Sequence, residues 1–558
     1  MKNILHKFLL LVGTLLCLDN LNAQQKDTTI ENNNVLVTKV FKPQLSEAIR
    51  IPVNPNPEKP EFVKPVFNYD IPNQQYSVQP TIYTIKPLSV GTMLLPKLKN
   101  NYAKIGYGNY NTPLVEFYLN SVRNKQYQAG LFVKHLSAIG DADYNKFSNN
   151  LAYGYVKKFL AKGAVGVDAF FYRNSVNLYG SPNDQLKLSK DPSLVYFLYD
   201  LKTNYQNYQT DSNGLVYKLD ANYYNYTSNG SFNENDVALK ARIAKQTSSI
   251  PFELVTGLRL NNNSIHSSTS DIWLNYQRIF FDLNPQVFMT GTDFYLKGGF
   301  NSTISSDSAG AKFHFFPKAE GGYSIINNKL VVYAGLKGGL NPNTYRSITT
   351  ENPFVNEFSL LNTIQRVEVY GGLKGELGPQ TNFQITASSA AVENLLCFSK
   401  DSSSGHQIAL YDLNGSAKLT TLSLAIQHQW NEKFRIGIIT NVFGYQLKSL
   451  AKAYSLPQFE TKLNSTYNIG DKFLLKLDLI YWGERTGRVD SKRTDGTFVS
   501  TDYKMNPFVD LNFGIDYRYS KNLSAFLNFN NIANNRYQRY YALPVYGINI
   551  LGGFTFTF

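Results

Sequence analysis

The sequence predicts an all-β protein, a transmembrane antiparallel β-barrel of about 22 strands with an extended, Pro-rich N-terminal arm. Three observations support this fold class. The chain begins with a secretion signal, it alternates apolar and polar residues over many segments, and it ends on an alternating strand with a terminal aromatic residue. After the signal, no run approaches the roughly 18 consecutive apolar residues that a spanning helix requires. A protein that is directed to a membrane but has no spanning helix is expected to cross that membrane as a β-barrel.

Residues 1–23 have the pattern of a signal peptide. Lys2 and Lys7 form a basic start, an apolar stretch runs from Phe8 to Leu18, and Leu21-Asn22-Ala23 resembles a cleavage site. The mature chain should therefore begin near Gln24. Only one of the two cysteines, Cys397, lies beyond the signal, so we expect no intrachain disulfide bond.

Residues 24–100 differ from the rest of the chain because proline recurs where amphipathic periodicity is weak. Such a stretch should be extended and partly polyproline-like, and we interpret it as a periplasmic arm. The prolines that define it are Pro52, Pro55, Pro57, Pro60, Pro65, Pro72, Pro80, Pro87 and Pro96.

Residues 101–558 are predicted to form the barrel. Apolar side chains at Val509, Leu511, Phe513 and Ile515 alternate with polar ones between them, and segments 165–171 and 475–481 repeat the pattern. A strand of a soluble sandwich has the same period. A polar second face repeated so often favours a water-facing lumen instead.

Compact turn signals divide this region into hairpins. Together with turns near 160, 211, 247, 287 and 379, they give about ten short periplasmic turns and hence about 22 strands. Longer connections near 176–194, 341–362, 396–415 and 486–505 should face outward from the cell. The turn signals are Arg123-Asn124-Lys125, Asn327-Asn328-Lys329, Asn431-Glu432-Lys433, Gly470-Asp471-Lys472 and Ser520-Lys521-Asn522.

The last strand carries Phe554, Phe556 and Phe558 on one face. We interpret these aromatics as contacts with outer-membrane lipid and as a C-terminal signal for the barrel-assembly machinery. A content of 14% aromatic residues, with Tyr 39 and Phe 37, also suits aromatic girdles at two lipid interfaces.

The formal net charge is +14, but the basic residues do not form a Lys/Arg-dense stripe in the sequence. We therefore expect basic residues at turns, in the lumen and near anionic lipid head groups, and no nucleic-acid partner.

Several segments resemble the TonB-dependent receptors. Asn528-Phe529-Asn530-Asn531-Ile532-Ala533-Asn534-Asn535-Arg536-Tyr537, followed by the strand that ends at Phe558, resembles their closing hairpin. Phe315-Phe316-Pro317-Lys318, Asn341-Pro342-Asn343 and Glu351-Asn352-Pro353 resemble mid-barrel segments in the style of Bacteroidota members. The resemblance covers roughly residues 100–558 and implies a transport or receptor barrel.

One departure from that family concerns its N-terminal plug, which is folded inside the barrel and is longer than residues 24–100, a stretch that is also rich in Pro in this chain. We therefore expect a barrel without a plug. Val35, Leu36, Val37 and Thr38 match a short TonB-contacting box, although an apolar tetrapeptide of this kind is also typical of a strand that docks locally.

No metal site, cofactor site or enzyme motif is predicted. The six histidines are far apart in sequence, and Ser402-Ser403-Ser404-Gly405 lacks the nucleophile elbow of a hydrolase. We expect no enzymatic role. A barrel phospholipase would need Ser and His projecting from adjacent strands, an arrangement that one sequence does not test.

Two charged clusters are candidate ligand or partner loops. Arg485, Arg488 and Arg493 occupy one outer connection, and Arg536, Tyr537 and Arg539 occupy the last one. Guanidinium groups beside aromatics suit an anionic or saccharide ligand. Solvated loop charge is the alternative interpretation.

A lumen of this width would be a large hole if it were left open. We expect closure by the arm, by inward-folded loops or by a protein partner. The sequence therefore predicts a transport or receptor component, with TonB as one partner. The alternative is a non-transporting scaffold subunit of an outer-membrane protein assembly or secretion complex. The short outer loops favour the scaffold, and the closing motif favours the receptor. The substrate stays open.

Overall fold

The computed structural model describes residues 101–121, 124–140, 145–179, 193–208, 214–229, 232–245, 250–267, 272–307, 310–326, 329–355, 359–402, 404–492 and 498–558. The signal, the arm and the Val35–Thr38 segment lie outside the described residues, as does Arg493.

The described residues form 26 strands and one helix, α1 (Tyr345–Glu351). The strands are β1 (Tyr102–Gly108), β2 (Thr112–Asn120), β3 (Tyr127–Ile139), β4 (Lys146–Leu160), β5 (Gly163–Asn177), β6 (Ser193–Asn207), β7 (Leu215–Ser228), β8 (Phe232–Lys245), β9 (Phe252–Ser267), β10 (Ile272–Thr290), β11 (Phe294–Asp307), β12 (Gly310–Ile326), β13 (Leu330–Asn341), β14 (Thr363–Glu376), β15 (Thr381–Asp401), β16 (Gln407–Gln429), β17 (Phe434–Gln446), β18 (Phe459–Ile469), β19 (Phe473–Trp482), β20 (Arg485–Lys492), β21 (Phe498–Met505), β22 (Phe508–Arg518), β23 (Leu523–Asn530), β24 (Gln538–Tyr540), β25 (Leu543–Pro544) and β26 (Asn549–Thr557).

The sheet closes on itself. Each strand from β1 to β19 pairs antiparallel with the next, β19 pairs with β22, β22 with β23, and β23 with β26. The last strand then pairs with the first, with Thr557 opposite Tyr102 and Leu551 opposite Gly108. The ring in the described chain has 22 strands, which confirms the predicted barrel. Its two ends meet at one rim, which we call the periplasmic end.

Strand alternation separates the two faces of the wall. In β12, Phe313 and Phe315 are 67% and 55% exposed, whereas the alternate residues His314 and Phe316 are 5% and 0% exposed. Side chains of the first kind point outward toward lipid and those of the second kind point into the lumen. No helix among the described residues has the length and apolar character needed to cross a membrane.

Two strand pairs stand outside the ring, at the end opposite Phe558, which we call the outer mouth. β20 and β21 form a hairpin in the connection from β19 to β22, and Lys400 and Asp401 at the end of β15 pair in parallel with Val489 and Asp490 of β20. β24 and β25 form a small separate sheet in the connection from β23 to β26.

The structure corrects three predicted boundaries. The turn expected near 287 lies at 291–293, where Gly291 N donates to Phe294 O, because β10 continues to Thr290. The connections expected at 396–415 and 486–505 are hairpins rather than irregular loops: β15 and β16 rise beyond the ring, and β20 pairs with β21. In each case cross-strand pairing extends an element through a polar segment that composition alone assigns to a loop.

Candidate functional site

The described residues between β13 and β14, 342–355 and 359–362, fold as a compact unit that we call the mouth loop. Thr344 caps α1: its Oγ1 accepts from Ser347 N at 3.0 Å, while Ser347 Oγ accepts from Thr344 N at 2.8 Å. Asn343 Nδ2 also donates to Leu361 O at 2.7 Å, which joins the two ends of the loop. This reciprocal capping satisfies donors that a short helix would otherwise leave unpaired.

The mouth loop packs against the lumen side of β6 to β8. The Tyr345 ring lies 4.6 Å from that of Phe232, nearly parallel to it, and Tyr345 is only 1% exposed. Its hydroxyl lies 2.7 Å from the Tyr276 hydroxyl, and Thr349 Oγ1 lies 2.7 Å from the Tyr226 hydroxyl. An aromatic side chain buried in this way contributes about 3 kcal/mol to docking.

Two buried carboxylates of the wall hold the first turn of α1. Glu234, 0% exposed, accepts from Tyr345 N at 2.8 Å and from the Tyr224 hydroxyl at 2.7 Å. Asp200 pairs with Arg346, with 3.1 Å between Oδ2 and Nη1. Glu234 accepts a backbone N–H that the first turn of α1 would otherwise leave unpaired, and Asp200 pairs with the Arg346 charge, so both contacts stabilise the inward position of the loop.

The mouth loop reaches both sides of the ring. In one direction Arg346 contacts Asp200 on β6, with six strands (β7 to β12) in between. In the other, Glu351 O accepts from the Tyr540 hydroxyl at 2.9 Å, with six strands (β15 to β19 and β22) between β14 and β23. The Tyr196 hydroxyl donates to Pro353 O at 2.6 Å. The mouth loop therefore crosses the outer mouth.

A second segment, residues 531–548, which we call the last loop, meets the mouth loop there. It is fixed by Arg485, whose Nη1 donates to Arg539 O and whose Nη2 donates to Gln538 O, both at 2.6 Å. The Arg485 guanidinium lies 5.2 Å from the ring of Trp482 and 5.1 Å from that of Phe508. Burial and the neighbouring Arg539 lower the pKa of Arg485 to about 10.

The structure brings most of the predicted candidate loop residues together. Tyr537 stacks on Phe508 at 3.9 Å and donates to Asp510 at 2.7 Å, and the Arg539 guanidinium lies 5.8 Å from the Trp482 ring. These residues and Arg485 join the β19–β22 connection to the last loop. The Arg485 guanidinium and the Tyr537 hydroxyl are engaged within the protein, so the structure gives these two residues an internal role.

The other candidates lie nearby but contribute less. Arg488 Nε is 2.7 Å from Asp490 Oδ1 within β20, and Arg536 lies beside Gly547 in the last loop. Arg493 is outside the described residues. Ligand binding by these loops stays a prediction.

Burial raises the pKa of Glu351, and the nearby Arg539 partly offsets this effect. The Tyr345 and Tyr540 hydroxyls likewise have raised pKa values, because both are buried. All three groups are therefore held uncharged more strongly than in water. Among the described residues, no group of three or more His, Cys, Asp or Glu side chains could hold a metal ion.

Sequence reasoning missed Glu234 and Asp200, the two carboxylates that hold α1. Each is an acidic residue at an inward position, Glu234 near the outer end of β8 and Asp200 in the middle of β6, and an inward acidic residue was the one available signal. The C-terminal aromatics do face outward as expected: Phe554 is 65% exposed, and Phe556 and Phe558 are each 46% exposed. Their role as an assembly signal stays a prediction.

No family model matches the sequence, and no curated protein matches it either. The structure, however, is similar to solved outer-membrane receptors. The ferric-catecholate import receptor Fiu of E. coli K12 aligns with a TM-score of 0.62 at 12% identity over 83% of this chain and 82% of its own. The ferripyoverdine receptor of Pseudomonas aeruginosa gives 0.64 at 12% identity over 83% and 72%.

The FrpB iron transporter of Neisseria meningitidis also gives a TM-score of 0.64, at 9% identity over 83% of this chain and 82% of its own. The likeness establishes the fold. That fold is the antiparallel β-barrel of the solved structures named above. The solved structures compared are named as receptors and transporters rather than as enzymes.

Proposed function

We propose that this protein is an outer-membrane receptor or transport component in which the outer loops govern passage through the lumen. One observation carries the proposal: the mouth loop lies across the outer mouth of a 22-stranded barrel, held to the wall by Glu234 and Asp200. Barrels of this width serve as transporters whose lumen is obstructed. Here the obstruction at the mouth is made by the barrel's own loops.

In this proposal the arm, residues 24–100, lies in the periplasm and completes closure, alone or with a protein partner. Val35, Leu36, Val37 and Thr38 would contact TonB. The sequence resemblance and the structural likeness to iron-compound receptors support this assignment. A ligand that binds the open state of the mouth loop more tightly than the closed state would shift the loop toward opening.

The experiment compares growth of a deletion strain on limiting iron chelates, vitamins and glycans. The strain carries either the full chain or a variant with residues 24–95 removed behind an intact signal. Restored growth on at least one source with the full chain alone supports a transport function that needs the arm. Growth that is indifferent to the protein on every source contradicts the proposal.

A scaffold subunit is the second candidate, and the engaged loops favour it. Arg485 donates to backbone carbonyls of the last loop, Tyr537 donates to Asp510, and the β1–β2 connection is only Asn109–Tyr110–Asn111. Little outer surface is then left for a ligand. Purification of a tagged protein in mild detergent, followed by mass spectrometry, separates the two: stoichiometric protein partners support the scaffold, and a barrel that runs alone excludes it.

A further inference from the structure

The outward face of the barrel carries a Ser–His–Asn chain on two neighbouring strands. Ser137 Oγ lies 3.2 Å from His135 Nε2, and His135 Nδ1 lies 2.7 Å from Asn150 Oδ1. His135 and Asn150 are direct cross-strand partners of β3 and β4, and Ser137 is two residues beyond His135. All three side chains therefore project from the same face of the sheet.

The hydrogen bonds fix the tautomer of the histidine. Asn150 Nδ2 donates to Ser148 Oγ at 3.3 Å, which turns Asn150 Oδ1 toward the imidazole. An amide oxygen only accepts, so His135 carries its proton on Nδ1 and presents the lone pair of Nε2 to the Ser137 hydroxyl. This is the arrangement in which a histidine acts as general base for a serine nucleophile.

The hydrogen-bonded side chains of Ser137, His135 and Asn150 lie on the lipid side of the wall rather than in the lumen. On the same face of β3, Leu131, Val133 and Ile139 are 41%, 40% and 56% exposed. Lys134, which lies between Val133 and His135 in β3, points inward instead. Its Nζ lies 3.0 Å from Oε1 of Glu116, its cross-strand partner on β2. Since β3 runs from the periplasmic end toward the outer mouth, the polar chain lies in its outer half.

We propose that Ser137, His135 and Asn150 form an acyl-ester hydrolase site that acts on glycerophospholipids from the surrounding membrane. A neutral Asn can orient the histidine beside lipid without the cost of burying a carboxylate. Arg173 is the register partner of Asn150 on β5 and shares the outward face, where its guanidinium can bind a lipid phosphate. The proposal is independent of what passes through the lumen.

The reaction follows from the positions of the three groups. Ser137 Oγ attacks the ester carbonyl carbon while its proton moves to His135 Nε2. The C–O bond to glycerol breaks, and the leaving oxygen takes that proton, which releases a lysophospholipid. Water then attacks the acyl-serine through the same base, and release of the fatty acid restores the Ser137 hydroxyl. Asn150 acts as a positioning residue.

The test uses the full chain in mixed micelles of detergent and phosphatidylethanolamine. One readout is release of a fluorescent fatty acid, and the other is covalent labelling by a fluorophosphonate, mapped by mass spectrometry. We expect label on Ser137, and we expect Ser137→Ala and His135→Ala to lose about 10³-fold in hydrolysis or to fall to background. Asn150→Ala should lose activity that Asn150→Asp regains.

Ser175 provides the matched control, because it lies on the same outward face of β5. Ser175→Ala should keep both the activity and the label on Ser137. Folding of each variant is checked by the heat-dependent gel shift of an intact barrel. Folded wild-type protein that releases no fatty acid and takes no label at Ser137 overturns the proposal, as does hydrolysis that persists in a folded Ser137→Ala variant.

Discussion

The two halves of the lumen differ in the direction of their polar contacts. At the outer mouth the contacts cross the barrel: Arg346 reaches Asp200, and Tyr540 reaches the mouth loop. In the periplasmic half they run along the wall between neighbouring strands, as in the 3.1 Å pair of Lys297 on β11 and Glu320 on β12. Within the described residues, the first kind of contact holds a segment across the lumen, and the second kind keeps side chains along the wall.

Glycines help to keep the wall thin in the periplasmic half of the barrel, which we call the lower wall. The Tyr295 ring lies on Gly322, and a Cβ at Gly335 would come within 2.7 Å of the Tyr370 hydroxyl oxygen. Each ring can lie flat on the neighbouring strand because the glycine has no side chain. The comparison shows that this lumen is obstructed at one end by loops and lined at the other by side chains that lie along the wall.

The largest effect is expected for Tyr345→Ala. The ring packs in the cluster with Phe232, so its removal should weaken docking of the mouth loop by about 3 to 5 kcal/mol. Hydrogen exchange of amides 345–352 measures this as loss of protection. The control is Tyr295→Ala in the lower wall, which should leave that protection unchanged. An equal loss in both variants would remove the distinction between the two halves.

Arg485→Ala should release the last loop. Two hydrogen bonds from a buried guanidinium to carbonyls are lost, at a cost of about 3 kcal/mol. Limited proteolysis within residues 531–548 should accelerate, and Arg485→Lys should not restore resistance, because an ammonium lacks the planar fork. Lys297→Ala is the lower-wall control. Unchanged proteolysis in Arg485→Ala would contradict the bracing role.

Docking of the mouth loop should depend on pH through Glu351. Burial raises its pKa, so the docked loop binds this proton more tightly than the released loop does. Docking is then fully favoured below the ordinary pKa of glutamate and weakens as pH rises toward the raised value. Hydrogen exchange at several pH values between about 4 and 7 measures it. Glu351→Gln should weaken the dependence, and a dependence that this substitution leaves unchanged would exclude Glu351 as a source.

The smallest effect is expected for Arg346→Ala. The Arg346 side chain is 31% exposed, so the loss should be about 1 kcal/mol and should shrink with added salt. Loop protection at low and high salt measures it. Arg242→Ala breaks a pair of similar length with Glu253 in the lower half, 2.8 Å, and should not affect the loop. A salt-independent loss in Arg346→Ala would show that packing rather than charge is responsible.

The sequence predicts the wall better than the mouth. Alternation along each strand is local, so residues such as Phe313 and Phe315 indicate their outward face without knowledge of the fold. The partners of Glu234 and Tyr540 are far away in sequence and are found only when loops fold inward. Arg485 and Tyr537 stand out by composition, yet their neighbours Trp482 and Phe508 become apparent only in three dimensions.

On the outward face, too, the sequence does not reveal partners that only the fold brings together. His135 and Ser137 are two residues apart and visible as a pair, but the third member, Asn150, depends on the register between β3 and β4. A shift of one residue would turn Asn150 into the lumen. Turn positions fix that register, and sequence signals place turns only within several residues.

Single-channel conductance in planar bilayers tests the central claim most directly. Two proteins are compared, both without residues 24–95 behind an intact signal so that the arm cannot close the lumen; in one of them residues 343–361 are also replaced by a short Gly-Ser turn that joins β13 to β14. If the mouth loop obstructs the lumen, the protein that keeps the loop should show little conductance, and the trimmed variant should show large, long-lived openings. Equal conductance of the two proteins, whether high or low, would contradict the claim that this loop controls the outer mouth.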